Sequence, residues 1–243
     1  MKRIFDFSAA LVGLILLSPL LIFLLLAIYL YDFHQPLYLP IRVGKNRRPF
    51  RMVKFRSMVV NADKIGATST SKRDPRITPI GHIIRDYKLD EFAQLWNVLV
   101  GDMSLVGPRP QVKNHVDECY TREELNLLNV RPGITDFSSI VFSDEGDILK
   151  DSKDVDGDYN RLIRPWKSRL GLLYVQKHNF ILDIRLIIIT IQAIVNKSAA
   201  LKTINKVLIP LKADKPLIEV CKRETQLYPF SPPGTHEIFG ATK

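Results

Sequence analysis

Cysteine is scarce in this chain. Cys119 and Cys221 stand far apart without metal-ligating neighbours, so no disulfide framework is expected and both read as free thiols of a reducing compartment. There is no Gly-x-Gly-x-x-Gly, no Walker loop and no Gly-x-Ser-x-Gly, which removes the usual signatures of dinucleotide binding, P-loop chemistry and serine hydrolysis. His34, His82, His115, His178 and His236 are scattered, form no metal spacing, and read as ordinary surface or core residues. Internal repeats and low-complexity tracts are missing as well. Acidic residues are in deficit: 25 Asp+Glu against 35 Lys+Arg leave a net charge of +10 over 243 residues. Such a balance calls for an anionic partner, and composition leaves nucleic acid, acidic lipid and a phosphorylated substrate open.

What the chain does have is one long apolar run. Phe7 to Tyr31 gives 25 residues without a formal charge. As a straight helix it would reach ~37 Å, enough for a ~30 Å hydrocarbon core. Two features argue against a simple crossing. Ser18-Pro19 falls in the middle, where Pro removes a backbone donor, and Ser18 can bond back to the freed groups. Lys2 and Arg3 precede the run while Arg42, Lys45, Arg47, Arg48, Arg51, Lys54 and Arg56 follow it. Positive charge on both flanks asks for both ends on the cytoplasmic side. A helix broken at Ser18-Pro19 that enters one leaflet and returns meets that demand. A kinked but true span is the alternative.

Beyond the run, Leu37, Leu39, Ile41 and Val43 alternate like a strand, Gly44-Lys45-Asn46 reads as a turn, and Phe50, Met52 and Lys54-Phe55-Arg56 as the returning strand. Residues 61–79, with Gly66-Ala67-Thr68-Ser69-Thr70-Ser71 and Asp74-Pro75, read as a loop holding at most one helical turn. Leu89, Phe92, Leu95, Trp96 and Leu99 mark one face of a helix over 88–100, with Asp90, Glu91, Gln94 and Asn97 off that face and Gly101 as its stop. Gly107-Pro108-Arg109-Pro110 is a rigid loop, 114–129 an amphipathic helix, and 158–178 a weaker helical pattern. Phe180–Val195 is apolar but interrupted by Asp183 and Arg185, as in a core helix or one lying in a membrane interface. Residues 197–243 form a basic tail with a Pro- and Gly-rich end and no readable role.

The candidate chemistry is the acidic pair Asp90-Glu91, with Arg85 and Lys88 before it and Arg109 after it. Carboxylates at a helix N-terminus can simply complement the dipole. The functional alternative is that an Asp attacks phosphorus. Two carboxylates repel a diphosphate, so that chemistry needs Mg²⁺ and arginines, whose planar forks grip phosphate oxygens.

Several motifs resemble, in order, the bacterial sugar transferase family of small monotopic phosphoglycosyl transferases. They are Lys54-Phe55-Arg56-Ser57-Met58, Asp74-Pro75-Arg76-Ile77-Thr78, Leu89-Asp90-Glu91 with Gln94-Leu95-Trp96-Asn97-Val98-Leu99, residues 101–110 through Pro108-Arg109-Pro110, and Arg131-Pro132-Gly133-Ile134-Thr135. The resemblance implies a mostly helical α/β (α+β) fold: a re-entrant membrane hairpin helix over 1–35 broken at Ser18-Pro19, and a small cytosolic catalytic domain over 36–196 with amphipathic interfacial helices. It also implies a two-step, Mg²⁺-dependent reaction on the cytoplasmic face of a bacterial inner membrane. Asp90 would attack the β-phosphorus of a UDP-sugar, release UMP and pass the phosphosugar to polyprenol (undecaprenyl) phosphate, as the first membrane step of glycan assembly. Glu91 would join Asp90 in binding Mg²⁺ or act as base, while Arg85, Arg109 and Arg131 grip phosphates or nucleotide and Lys54 and Arg56 sit near the same pocket. Downstream glycosyltransferases would be partners, and nucleic acid would not. The chain departs from the family at Lys88 (usually Ser), Ala93 (commonly Pro), Asp136 (usually Gly) and Gly171, where an acidic site residue is usual.

Two rival readings are a transferase in which the acceptor attacks directly and Asp90 only binds metal, and a catalytically silent membrane-bound scaffold for glycosyltransferases. A nucleic-acid binder ranks last, because residues 42–56 lack aromatic interleaving beyond Phe50 and Phe55.

Overall fold

The computed structural model describes residues 1–65 and 69–240, so residues 66–68 of the expected loop lie outside the described residues. The chain opens with α1 (Lys2–Asp32) and continues through the short strands β1 (Leu37–Tyr38), β2 (Ile41–Val43), β3 (Pro49–Arg51) and β4 (Lys54–Phe55). Then come α2 (Pro79–Asp86), a 3₁₀ turn (Leu89–Gln94) running into α3 (Leu95–Val100), β5 (Ser104–Val106), α4 (Lys113–Cys119) and β6 (Gly133–Thr135). The remainder is helical: α5 (Phe137–Val141), α6 (Glu145–Ile148), α7 (Val155–Asp158), a π-helical stretch Tyr159–Ile163, α8 (Arg164–Lys177), α9 (Phe180–Val195), α10 (Lys197–Leu208) and α11 (Lys215–Lys222). The mostly helical expectation holds, with only three two-stranded sheets among the described residues.

α1 is helical without interruption from Lys2 to Asp32, with Pro19 inside it. Pro19 has no N–H to offer the Ile15 carbonyl, and the Ser18 hydroxyl donates to that carbonyl at 2.8 Å instead. Both ends of α1 are fastened to the same globular body. At the start, Lys2 donates to Asp183 (2.7 Å) and the Val106 carbonyl (3.0 Å), Arg3 caps the Val98 and Leu99 carbonyls at the end of α3, and Asp6 accepts from Ser104 and the Leu105 N–H. At the far end the Asp32 carboxylate takes both guanidinium nitrogens of Arg56 at 2.6 Å. Between these clamps one face is seated in the domain: Ala10 packs with Met52, Val98 and Met103, and Leu24 and Ile28 with Phe55, Ile84 and Ala93. The opposite face leaves Leu11, Ile15, Leu16, Ile22, Phe23 and Leu26 exposed, and only 11% of the most apolar stretch is buried.

The expected hairpin over 36–60 is present as two antiparallel pairs, β1 with β4 and β2 with β3, turning at Asn46 and Arg47, which adopt positive φ. A parallel pair, β5 with β6, sets Ser104 opposite Gly133 and Val106 opposite Thr135. Just past it the backbones of Gly107 and Gly133 cross so closely that a Cβ on Gly133 would lie 2.1 Å from the Gly107 nitrogen. Only glycine permits that approach, and it fixes where the Pro108-Arg109-Pro110 loop departs.

Helix 88–100 differs from its expected pattern. Its first half is 3₁₀, and Gln94 and Asn97 are buried while Trp96 is half exposed. Asn97 explains the difference: its side chain accepts from the Val53 N–H and donates to the Arg51 carbonyl, both at 2.8 Å, tying α3 to the strand that carries Lys54. The expected helix over 114–129 is split into α4 and a 3₁₀ turn at Glu124–Asn129. The largest core gathers Phe137, Trp166, Leu170, Tyr174, Leu186 and Ile204 from α5, α8, α9 and α10. It continues past residue 196, since α10 and α11 bury Ala200, Leu208, Leu217 and Val220 in it. α9 is apolar on both sides, burying Leu182, Leu186 and Ile189 and exposing Ile181, Ile188 and Ile191.

Candidate active site

The acidic pair sits where three local constraints meet. Thr78 caps α2 by accepting from the Gly81 N–H at 3.0 Å, Lys88 turns the chain with a positive φ, and the Glu91 N–H returns to the Lys88 carbonyl to open the 3₁₀ turn. Leu89 and Ala93 of that turn pack under α1, which leaves Asp90 and Glu91 facing a cavity of about 870 Å³. Glycine crossing and dyad converge there, because Arg109 leaves the crossing and donates to Glu91 at 2.8 Å. On the other side Lys54, from β4, donates to Asp90 at 3.1 Å. Each carboxylate thus has one oxygen engaged by a cation, and the other makes no hydrogen bond among the described residues.

Three more cations line the cavity with no ion pair among the described residues: Arg42, Arg85 and Lys88. Arg42 has a buried Nε without a partner, and among the described residues the Arg85 side chain makes one hydrogen bond, at 3.5 Å to the Ser57 hydroxyl. Burial depresses the pKa of all three below its ordinary value. Lys54 is pulled down by burial too, with Asp90 partly offsetting it. Burial pushes the Asp90 carboxyl upward, but the charges of Lys54, Arg109 and Arg85 outweigh it and hold the group below the usual carboxylate range. Glu91 raises Arg109 beyond its already high value. The result is an ionised carboxylate held among desolvated cations.

Of the residues singled out from the sequence, Asp90, Glu91, Lys54, Arg85 and Arg109 meet at this cavity. Arg56 and Arg131 lie outside its lining. Arg56 pairs with Asp32 and donates to the Gln35 carbonyl, and the exposed Arg131 donates to the Gly101 carbonyl through its Nε alone. Ser18 and Pro19 sit within α1, as described. Sequence reading missed Arg42, which it counted only among the charges flanking the apolar run. It also took His115 for an ordinary residue. His115 lines the cavity with a buried, partnerless Nε2, and burial and Arg164 lower its pKa to about 4, keeping it neutral. Among the departures, Lys88 adds a cation to the lining, and Asp136 is buried as the cap of α5, accepting from Ser138 and Ser139. Gly171 packs so closely on Leu127 that a Cβ would lie 2.7 Å from its methyl.

Among the described residues no three His, Cys, Asp or Glu side chains gather as a metal-ligand group. Two adjacent carboxylates with one free oxygen each do fit Mg²⁺, which commonly takes one or two carboxylates and completes its octahedron with substrate phosphates and water.

Because Arg42 is desolvated without an acid partner, Arg42→Ala is expected to raise the KM for an anionic donor at least ~10-fold. Its Tm should equal or exceed the parent's. Steady-state kinetics with a parallel melting curve checks both, and an unchanged KM would remove Arg42 from the site.

Comparison with known proteins points the same way. The chain is 34% identical to the UDP-N-acetylgalactosamine-undecaprenyl-phosphate N-acetylgalactosaminephosphotransferase of Aeromonas hydrophila, over 79% of this chain and 43% of that protein. It is 37% identical to the undecaprenyl-phosphate glucose phosphotransferase of Komagataeibacter xylinus, over 79% of this chain and 35% of that one. To the UDP-galactose-lipid carrier transferase of Erwinia amylovora it is 39% identical, over 56% and 31% respectively. The chain thus spans less than half the length of each of these curated relatives. The family model for bacterial sugar transferases matches residues 1–197. With its dyad, its Pro-Arg-Pro loop and this match over most of its length, the chain belongs to the bacterial sugar transferase family.

Proposed function

We propose that the chain transfers a phosphosugar from a UDP-sugar to polyprenol phosphate through a covalent intermediate on Asp90. The observation that carries this reading is the set of three unpaired, desolvated cations, Arg42, Arg85 and Lys88, around an ionised Asp90. A diphosphate would pair with these cations, and the reaction requires its β-phosphorus at the free Asp90 oxygen. In the first step that oxygen bonds to the β-phosphorus, the bond from phosphorus to the bridging oxygen breaks, and UMP leaves with the electron pair. In the second, an oxygen of polyprenol phosphate bonds to the same phosphorus, the bond to Asp90 breaks, and polyprenol diphosphosugar departs. Glu91, held by Arg109, would act as base toward the acceptor or help bind Mg²⁺, and Lys54 keeps Asp90 ionised before attack. Mg²⁺, which the free oxygen of Glu91 would help to hold, would screen the charge between dyad and diphosphate. The relatives' names, which pair sugar phosphates with undecaprenyl phosphate or a lipid carrier, support the same donor and acceptor classes. The test is UMP release from UDP-sugars with polyprenol phosphate and Mg²⁺, together with intact-protein mass. A phosphosugar adduct on the protein is expected when acceptor is withheld. Folded, membrane-bound protein that releases no UMP from any donor would overturn the transferase and favour the silent scaffold.

The same reading places the reaction at a membrane surface on the cytoplasmic side. Both charged ends of α1 are clamped to one domain while its outer face is apolar and exposed, which supports a helix that enters and returns rather than one that crosses. Single cysteines replacing Met1 and His34, in a background without Cys119 and Cys221, should be labelled from the same side of sealed vesicles. Labelling from opposite sides overturns this topology.

A further inference from the structure

The family match ends at residue 197, yet the chain continues into a segment that returns to the active cavity. Arg223, just after α11, donates to Asp144 in the cavity wall at 3.2 Å and lies over the Phe142 ring. The chain then crosses α8. Phe230 stacks on Trp166 with ring centroids 4.4 Å apart, its N–H bonds the Arg161 carbonyl at 3.1 Å, and Arg169 donates to the Ser231 carbonyl at 2.7 Å. Thr121 then donates to the Pro233 carbonyl at 2.6 Å, and Pro232 and Pro233 are buried. The strap therefore arrives at Phe239 already fixed at both flanks of α8. Phe239 lines the same cavity as Asp90 with 41% of its surface exposed, beside the π-helical stretch, as the approach of Gly240 to Arg161 locates it.

This part of the lining differs in chemistry from the phosphate end. Tyr159 on the π-helical stretch and Asn114 and the neutral His115 on α4 are uncharged hydrogen-bonding groups, Asp156 and Glu118 stand beside them as carboxylates, and Phe239 adds an apolar ring. Mixed polar groups beside an aromatic face suit a ring that carries hydroxyls on its edge and C–H bonds on its face. The relatives share the lipid-phosphate side of the reaction, while their names differ in the sugar: N-acetylgalactosamine, glucose and galactose. The strap lies outside the residues that the family model matches.

We propose that the C-terminal strap makes one wall of the donor-sugar subsite and that Phe239 is a specificity-determining residue in it. This rests on the transferase reading above. The experiment uses the full chain in membranes or detergent. UMP release is measured with UDP-glucose, UDP-galactose and UDP-N-acetylgalactosamine, for the parent, Phe239→Ala, Phe239→Tyr and a chain lacking residues 239–243. Phe230, Ser231 and Pro233 remain in every variant, so the strap's anchors are kept. Phe239→Ala and the shortened chain are expected to change the ratio of kcat/KM between donors about three- to tenfold, with Phe239→Tyr close to the parent. The inhibition constant of UMP should not change. Equal losses with all donors, a parallel change in UMP inhibition, or no change overturns the proposal. A parent that is silent with every donor overturns the transferase reading itself, whereas an active parent with unchanged ratios in the variants overturns this one alone.

Discussion

Asp90→Asn is expected to cut UMP release by at least ~10³-fold, because the amide keeps the shape of the side chain but has no oxyanion to bond phosphorus. The site's other charges then stay where they are: Glu91 keeps its bond from Arg109, and Arg42, Arg85 and Lys88 still present an anion site. Donor binding should therefore survive, which separates loss of the nucleophile from loss of the site. Rate alone does not distinguish covalent from direct transfer, since a metal-binding Asp90 would also be missed. The adduct does: the parent should gain the mass of one phosphosugar on Asp90 in the absence of acceptor, and Asp90→Asn should gain none. Full UMP release by the variant would remove Asp90 from the chemistry. Since the cations around Asp90 hold its pKa down, the ionised form persists as pH falls, and the acid limb of kcat/KM should lie below the ~4 of an ordinary carboxyl. An acid limb above that value would contradict the electrostatics described for the free site.

The second large effect lies behind the cavity. Glu124 is completely buried and accepts from the Arg164 Nε (3.1 Å) and an Nη (2.8 Å), the Ser168 hydroxyl (2.6 Å) and the Thr121 N–H (2.9 Å). Glu124→Ala strands a guanidinium that is almost fully buried and leaves Ser168 and Thr121 without their acceptor. Removing one partner of such a pair costs about 3–5 kcal/mol, which lowers Tm by roughly 10 °C in a domain of this size. Thermal melting by circular dichroism checks it, and a loss of less than ~1 kcal/mol would mean that water replaces the carboxylate. Because this pair joins α8 to the 3₁₀ turn that follows α4, His115 should also lose its fixed position in the cavity wall.

Sequence pattern carried some of these features and hid others for physical reasons. The apolar run, the role of Ser18 beside Pro19 and the hairpin after it were legible because each is local: a charge-free length, a donor one residue from a missing N–H, a period of two around a turn. Asp90 and Glu91 stood out as an acidic pair among Arg85, Lys88 and Arg109, Lys54 came from motif resemblance, and the cavity gathers them. Arg42 was invisible as a site residue because seven cations follow the run and only tertiary burial distinguishes one from the rest. Asn97 and Gln94 were put on the wet face because helix periodicity assumes that polar residues seek water, whereas Asn97 is buried as a tie to the strand backbone. Arg56 follows the last residue of β4, and its guanidinium pairs with Asp32 outside the cavity lining, a long-range partner that the motif does not report. For α10 the signal was present and unused. Ala200, Leu201, Ile204, Val207 and Leu208 have helical spacing, but the basic residues between them gave the segment the look of a tail. The Glu124–Arg164 pair spans forty residues of sequence, and no local pattern reports it.

The seating of α1 decides what a water-soluble version of this protein would require. Deleting the first thirty-three residues would not release an intact domain. It would uncover Phe55, Ile84 and Ala93 and strip Asp183 and Arg56 of their partners, in layers that also support Lys54 and the 3₁₀ turn of the dyad. The inward face of the helix is core, and the outward face is apolar and exposed. Solubilisation is thus a question of recoating one side, exchanging Leu11, Ile15, Leu16, Ile22, Phe23 and Leu26 for polar residues while Ala10, Leu24 and Ile28 stay in place.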